Sequence, residues 1–551
     1  MSSSKLENLA NEILLEIFDY LLPIDLIRAC DMLNERIQNL ITQRRMHVDL
    51  STNLSFNDFN EYCSKICFHY SSCIYSVRLS NVETCGGIKL FFTKFSQIEI
   101  TFPNLRTMSF TEPNEMDYKQ IVKLKHLTSI HLKCYKMSEQ KIHLGLLFDI
   151  PYLETCVLGY DDALPVQKLR PNLHLNRLIL DSFYINDLHT LFHFYPSLQH
   201  LSINRLVVNF HGFLPPLNRS FETLRTLKLN CVYTVRSDYV AHILSILPRL
   251  TRFTIVAIGI DFLSSKQWLE ILATLEKLRF LTLDIKAVSV TSNNEISPSF
   301  LTEFWRQWHI AVDYSQDNKK FHLFTVPYRR LSFISTIHCL PVIEVPHNAF
   351  SSVTDIYLKT NIPMQIQSQR VYPNVRALQI YQNAIVPVNY STLLLQLQSM
   401  FHLNKLVHLE LFIPLPTSSF LALLKSTPCL RNFKTDYDIL TTVTDRLQNK
   451  DVCSQLYDKL EKFVLRRGIL PIVDHNRFLE IFSNLKHLQI NLNTIYDLRQ
   501  IAGKFIKNMT NLLTLNIWLT GTNEPNDTLQ WEGIVNDVSY EIAKRHIKIW
   551  K

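Results

Sequence analysis

From residue 102 onward one arrangement of apolar and polar positions keeps returning. It reads FPNLRTMSF (102–110), LKHLTSIHL (124–132), IPYLETCVL (150–158), YPSLQHLSI (195–203), FETLRTLKL (221–229), LPRLTRFTI (247–255) and LEKLRFLTL (275–283). It resumes as YPNVRALQI (372–380), LNKLVHLEL (403–411), TPCLRNFKT (427–435), YDKLEKFVL (457–465), FSNLKHLQI (482–490) and MTNLLTLNI (509–517). The common form is apolar-x-x-apolar-x-apolar, often preceded by Pro-x. Outside the interruption, successive anchors (105, 127, 153, 175, 198, 224, 250, 278, then 375, 406, 430, 460, 485, 512) are 22 to 31 residues apart. Inside it, FSSVTDIYL (350–358) fits with Val353 as anchor.

The last two apolar positions are two apart, so they point to one side of a short strand. Upstream segments such as HTLFHFYPSL (189–198), YVAHILSILPRL (239–250) and FLALLKSTPCL (420–430) carry apolar residues at helical spacing. Each repeat is therefore a helix, a turn marked by Pro, and a strand. One such unit cannot bury its apolar face alone, and stacking its neighbours does so. The prediction is a parallel sheet lined by helices, with Leu105, Leu127, Leu224, Leu250 and Leu278 buried. The exposed middle column should be Ser109, His131, Ser202, Lys228, Thr254, Thr282, Gln379, Glu410, Lys434 and Gln489.

Period, spacing and element order together resemble the leucine-rich-repeat family. The family's usual Asn or Cys eight residues after the anchor is mostly absent, with Leu206 and Val232 standing there, though Asn493 fits. The resemblance implies an irregular α/β solenoid over residues 46–551, parallel sheet inside and helices outside. Its pattern breaks near 284–349, where 297–314 reads as a helix followed by a strand. The end, near 530–551, reads as a helix (DVSYEIAKRH), a short strand (HIKIW) and hence a cap.

The chain opens differently. In LANEILLEIFDYLLPIDLIRAC (9–30), Ile13, Ile17 and Leu21 form one helical line and Leu14, Phe18 and Leu22 the next. Pro23 breaks the run, and Asp25 is suited to cap a second helix. So wide an apolar face on about forty residues must be covered, either by the repeats or by another protein. Four acids interrupt the stretch, which excludes a signal peptide or a membrane span.

The order and spacing of Leu9, Glu12, Ile13 and Leu14, then Ile17, Phe18, Tyr20 and Leu21, then Asp25 and Leu26, are similar to the F-box. That helical module docks on a Skp-type adaptor of cullin-RING ubiquitin ligases. Ala10 stands where the family has Pro, and Ile37 where a bulky aromatic is common. The resemblance implies an F-box over residues 1–45. It implies adaptor contact through Leu9, Ala10, Ile13, Leu14, Ile17, Phe18, Leu21, Leu26 and Cys30. An F-box followed by leucine-rich repeats implies a ligase substrate receptor, with the repeats holding an unidentified protein substrate. The alternative is a repeat scaffold whose degenerate F-box recruits no ligase.

Composition narrows the remainder. At 47% hydrophobic and 19% charged, the chain is a folded protein. A net charge of +8 over 551 residues is too dilute for a dedicated nucleic-acid binder. Eleven scattered cysteines and no recognisable leader predict reduced thiols, in the cytoplasm or the nucleus. Only ten glycines occur, against a usual ~7%, and no phosphate-cradling or hydrolase motif is present. The sequence therefore predicts no catalytic residue, cofactor, metal or membrane partner.

Two clusters remain. Cys63, Cys67, His69 and Cys73 are zinc-ligand types, but C-x3-C-x-H-x3-C is not a standard knuckle, and buried thiols are the reading preferred. The residue after the anchor is Arg106, Arg225, Arg279, Arg376 or Arg431, with Lys486. Guanidinium forks there suit an acidic or phosphorylated partner, or their stems cover the neighbouring leucines. The substrate-binding candidates are Arg225, Lys228, Arg279, Arg376 and Arg431.

Overall fold

The computed structural model describes residues 9–21, 23–30, 33–51, 54–82, 84, 86–134, 144–160, 162–164, 166–208, 220–232, 235–288, 299–300, 302–315, 320–329, 331–336, 340–341, 348–360, 371–382, 390–492, 498–519, 539–543 and 546–550. Leu22, Asn493 and, of the expected terminal helix, residues 537–538 and 544–545 lie outside that set. The chain clusters into two compact units, residues 1–254 with 270–280, and residues 255–269 with 281–551.

The first unit opens with three helices, α1 (Asn11–Asp19), α2 (Pro23–Cys30) and α3 (Glu35–Gln43). Asn34 caps α3, its side chain accepting the Ile37 N–H at 2.9 Å. Asp25, expected as a cap, lies inside the first turn of α2. The helix starts earlier because the fixed φ of Pro23 suits the first helical position, and the acid then faces the positive end of the helix.

The strands follow: β1 (Met46–Asp49), β2 (Ile74–Ser80), β3 (Thr107–Thr111), β4 (Ser129–Cys134), β5 (Thr155–Tyr160), β6 (Arg177–Leu180), the short β7 (Phe183–Tyr184), β8 (His200–Val207) and β9 (Thr226–Cys231). A helix, α4 (Phe56–Glu61), lies between β1 and β2. All the pairings are parallel and follow chain order, with β6 beside β8 and β7 as an extra strand on β8.

The Pro-x signal works through the backbone. The residue before proline is pushed out of the helical region. Phe102, Tyr195 and Thr427, each ending a helix before a proline, share nearly one conformation, with φ from −126° to −118° and ψ from 69° to 73°. The chain then turns, buries its anchor and enters the strand. At that entry one carbonyl accepts two successive N–H groups of the next repeat. Arg106 O takes Thr128 at 2.9 Å and Ser129 at 3.1 Å, and Glu154 O takes Asn176 and Arg177 at 3.0 Å each.

Leu105, Leu127, Leu224 and Leu250 are buried as expected. Leu278 is not: it is half-buried. After it the pattern blurs until residue 353, with only the weaker match YRRLSF (328–333) between, and in a stack the next repeat completes the cover over each anchor.

The second unit holds parallel strands Ser332–Thr336, Asp355–Thr360, Ala377–Gln382, His408–Phe412, Asn432–Thr435, Lys462–Leu465, His487–Leu492 and Thr514–Leu519, again paired in chain order. Where the pattern breaks, a short helix Glu303–Arg306 leads to strands Ile310–Ser315 and Lys320–Thr325, which pair antiparallel. At the end the expected helix is corrected. Ser539–Ala543 is a strand, antiparallel to His546–Trp550, which is in turn antiparallel to Thr514–Leu519. Among the described residues, no helix is long and apolar enough to cross a membrane.

Candidate partner-binding surfaces

The wide apolar face of α1 divides into a covered strip and an open one. Leu14 and Phe18 are 0% exposed, and Leu26, Ile27 and Cys30 of α2 are buried with them. Ile13 remains 46% exposed, Leu15 36% and Tyr20 84%. Ile17, Leu21 and Leu9 are half-buried and Ala10 is exposed. Ile37 is wholly buried, so it contributes to the core of the module.

Two arginines hold α1 at its ends. Arg36 donates to the Leu9 carbonyl at 2.7 Å and to Asn11 Oδ1 at 2.8 Å. Arg44 donates to the Phe18 carbonyl at 2.5 Å and pairs with Asp19 at 2.6 Å, placing positive charge at the negative end of the helix. Arg28 of α2 reaches α4, pairing with Asp58 at 2.8 Å and Glu61 at 3.1 Å. Burial works against the Asp58 charge, but hydrogen bonds from Arg28 and Ser55 and the Arg28 charge outweigh it and hold the carboxyl below its ordinary range. Ile13 and Ile17, one turn apart, thus form a partly open apolar ridge on an anchored helix.

The second kind of surface is the solvent face of the strands. In the first unit the middle column runs in register through Asp49, Arg78, Ser109, His131, Val157, Ile179, Ser202 and Lys228. In the second it runs through Tyr357, Gln379, Glu410, Lys434, Val464 and Gln489. The candidates named from sequence separate by geometry. Lys228 sits exposed in the middle column. Arg225, Arg279, Arg376 and Arg431 stand at the strand entries, where their backbone joins the double-acceptor ladder.

Some of these guanidinium groups turn back onto the protein. Arg225 Nη1 donates to the Arg249 carbonyl at 3.3 Å. Arg431 Nη1 donates to the Leu430 carbonyl at 3.0 Å, and its Nε lies 3.7 Å from Glu461. Arg106 likewise donates to Pro103 and Leu105 carbonyls at 3.2 and 3.0 Å. Arg279 and Arg376 are exposed.

Charge is arranged differently in the two units. On the second, Glu410 is buried and faces His408 at 3.0 Å and Lys434 at 3.1 Å. Burial opposes the Glu410 charge, yet the His408 hydrogen bond and Lys434 together draw its carboxyl below the ordinary range. Nearby, Arg466 pairs with Asp436 at 2.9 and 2.8 Å, and lies 3.6 Å over the Phe412 ring, itself stacked on Tyr381 at 4.9 Å. On the first unit strands β3 to β9 carry His131, Lys133, Arg177, His200, Arg205 and Lys228 and no Asp or Glu. Burial, then the charges of Arg78 and Arg177, lowers the His131 pKa. Burial, then Arg177 and Arg252, lowers that of His200.

Cys63 and Cys67 are buried on the turn that continues α4, Cys73 Sγ donates to the Thr42 carbonyl at 2.9 Å, and His69 is exposed. Among the described residues, no three His, Cys, Asp or Glu side chains gather as a metal group.

Sequence reasoning missed a buried polar set in the second unit. Asp284, 1% exposed, meets His322 Nε2 at 2.7 Å and accepts from the Tyr328 hydroxyl at 2.8 Å. Its signal was an acid inside the apolar strand FLTLDIKAV.

The chain matches no family model, and no curated protein matches it. Among solved structures, the crystal structure of the Rad7 and Elc1 complex in yeast is similar, at 14% sequence identity, over 79% of this chain and 94% of that chain, with a TM-score of 0.28.

Proposed function

We propose that this chain is a non-catalytic substrate receptor of a cullin-RING ubiquitin ligase, acting in the cytoplasm or nucleus. The α1 ridge docks a Skp-type adaptor, and the strand faces of the repeats hold a protein substrate. The observation that carries this reading is the divided face of α1. Leu14 and Phe18 are buried, while Ile13, next in sequence and also part of the F-box-like pattern, stays 46% exposed on an anchored helix. Exposed contiguous apolar surface is a partner site more often than an accident. The repeats supply the other half, a polar face in register across many strands, the form of surface that stacked repeats use for proteins.

The test is co-purification of the full chain with a Skp-type adaptor, wild type against Ile13→Asp and Leu14→Asp. Ile13→Asp should abolish adaptor capture with no shift in melting, because an exposed site costs within about 0.5 kcal/mol. Leu14→Asp should unfold the module through a buried unpaired charge. If the wild-type chain captures no adaptor, the second reading holds: a protein-binding repeat scaffold with a degenerate F-box. Ala10, exposed where the family has proline, is the observation that favours it.

A further inference from the structure

The geometry points to a more specific occupant of one strand face: we propose that the face of the first unit binds an extended, carboxylate-rich peptide, with an apolar residue between its acidic ones. This rests on the reading of the repeats as the substrate-holding part. Strands β3 to β9 contain no Asp or Glu, while they carry His131, Lys133, Arg177, His200, Arg205 and Lys228. At the centre of that face Val157 and Ile179 are register neighbours and only half-buried, an apolar floor amid the cations.

Arg177 is exposed, two residues before Ile179, and its side chain makes no hydrogen bond or ion pair among the described residues. The Arg252 guanidinium lies over the Phe280 ring at 4.6 Å, which leaves its edge donors outward. His131 and His200 are lowered first by burial, and then by the charges of Arg78, Arg177 and Arg252 beside them. Three of the acids near this face are engaged or set aside. Asp49 pairs with Arg78 at 3.3 Å, Asp181 accepts from Asn204 at 2.6 Å beyond the end of β6, and Glu154 stands in the turn before β5. The contrast with the second unit is direct, since there Glu410 and Asp436 already neutralise Lys434 and Arg466.

The spacing argues for carboxylates over one phosphate. Adjacent strands lie ~4.8 Å apart and residues along a strand ~3.4 Å apart, so His131 on β4 and Arg177 on β6, two strands over and two residues back, are separated by about 12 Å, or between about three and four residues of extended peptide. Cations spread at that interval meet several separate anions better than a single phosphoryl group, which is held by donors converging on one point.

The experiment uses the full chain and three fluorescein-labelled twelve-residue peptides: a Glu-Glu-Leu repeat, its Gln-Gln-Leu counterpart, and the Gln-Gln-Leu peptide with one phosphoserine. Anisotropy is read at low and at high salt. The Glu peptide should bind at least about tenfold tighter than the Gln peptide at low salt and lose that margin at high salt, as exposed charge pairs do. Arg177→Glu should erase the margin, whereas Lys462→Glu, at an exposed strand position of the second unit, should leave it intact. Unchanged melting of Arg177→Glu separates lost binding from lost fold, and Arg177→Gln should give an intermediate loss. Equal binding of Glu and Gln peptides, or an equal loss from Lys462→Glu, would overturn the proposal. Preferred binding of the phosphoserine peptide would overturn its carboxylate source. Adaptor capture is scored on the same preparations. Capture retained without peptide preference sinks this inference alone, and peptide preference without capture sinks the ligase reading alone.

Discussion

Leu224→Ala and Leu278→Ala delete the same atoms from the same place in the repeat, yet they should differ severalfold in cost. Leu224 is 0% exposed, whereas Leu278 is half-buried. Removing three methylene equivalents forfeits about 2.4 kcal/mol of transfer energy when burial is complete. The cavity left behind brings the cost at Leu224 to about 3–4 kcal/mol. At Leu278 part of the side chain is already in water and no closed cavity forms, so about 1 kcal/mol is expected. A chain of two compact units need not unfold in one step, so the assay must be local. Hydrogen exchange read by mass spectrometry on peptides covering β9 and residues 280–283 provides it. At 1.4 kcal/mol per factor of ten, Leu224→Ala should speed exchange in its strand by about a hundredfold or more, and Leu278→Ala by less than about tenfold. Equal acceleration would refute the reasoning, because burial would then not govern the cost and the repeat position alone would.

Two further outcomes follow from the charged residues. The Glu410 carboxyl is held below its ordinary range, so its contribution is present above the unfolded Glu value of about 4.3 and is lost as pH falls through the folded value. Glu410→Gln should flatten the acid end of a stability-against-pH curve measured by thermal melting, and a curve as steep as wild type would contradict this. Asp284→Ala leaves buried His322 and Tyr328 without their acceptor and should cost about 3–5 kcal/mol. Asp436→Ala, which breaks a half-buried pair, should cost less, and a comparison of denaturation midpoints decides it.

Much of the architecture was legible because it is written in spacing. A two-residue step beside a helical period, repeated with a Pro-x turn, leaves little freedom in what the chain can form. Strand register could be read from the same alignment, and Gln379, Glu410 and Lys434 lie side by side as it implies. The terminal strand Ser539–Ala543 was misread because a local helical spacing competed with pairing to His546–Trp550, and pairing is a long-range fact. The open and covered lines of α1 could not be told apart, since Ile13 and Leu14 have equal claims to burial until α2 and α3 are in place. The arginine column looked like one surface because its residues share a position, but Arg225 and Arg431 direct guanidinium groups at turn carbonyls. The basic face of the first unit was hidden for the converse reason. His131 lies in the middle column and Arg177 and His200 one column before it, so they become neighbours only across strands.

The double-acceptor carbonyl at each strand entry bears on how such a chain can change over generations. In the first unit that place is held in turn by Arg106, Thr128, Glu154, Asn176, Gln199, Arg225 and Thr251, each taking two successive N–H groups from the next repeat. Nothing in this chemistry reads the side chain: the ladder needs a carbonyl and two adjacent amide hydrogens, which every residue but proline supplies. Mutational drift is therefore nearly free at these sites apart from one forbidden letter, and a proline scan would mark the array as evenly spaced points of intolerance. Descent along such a lineage can rewrite almost every exposed letter while the spacing, and with it the scaffold, passes on intact.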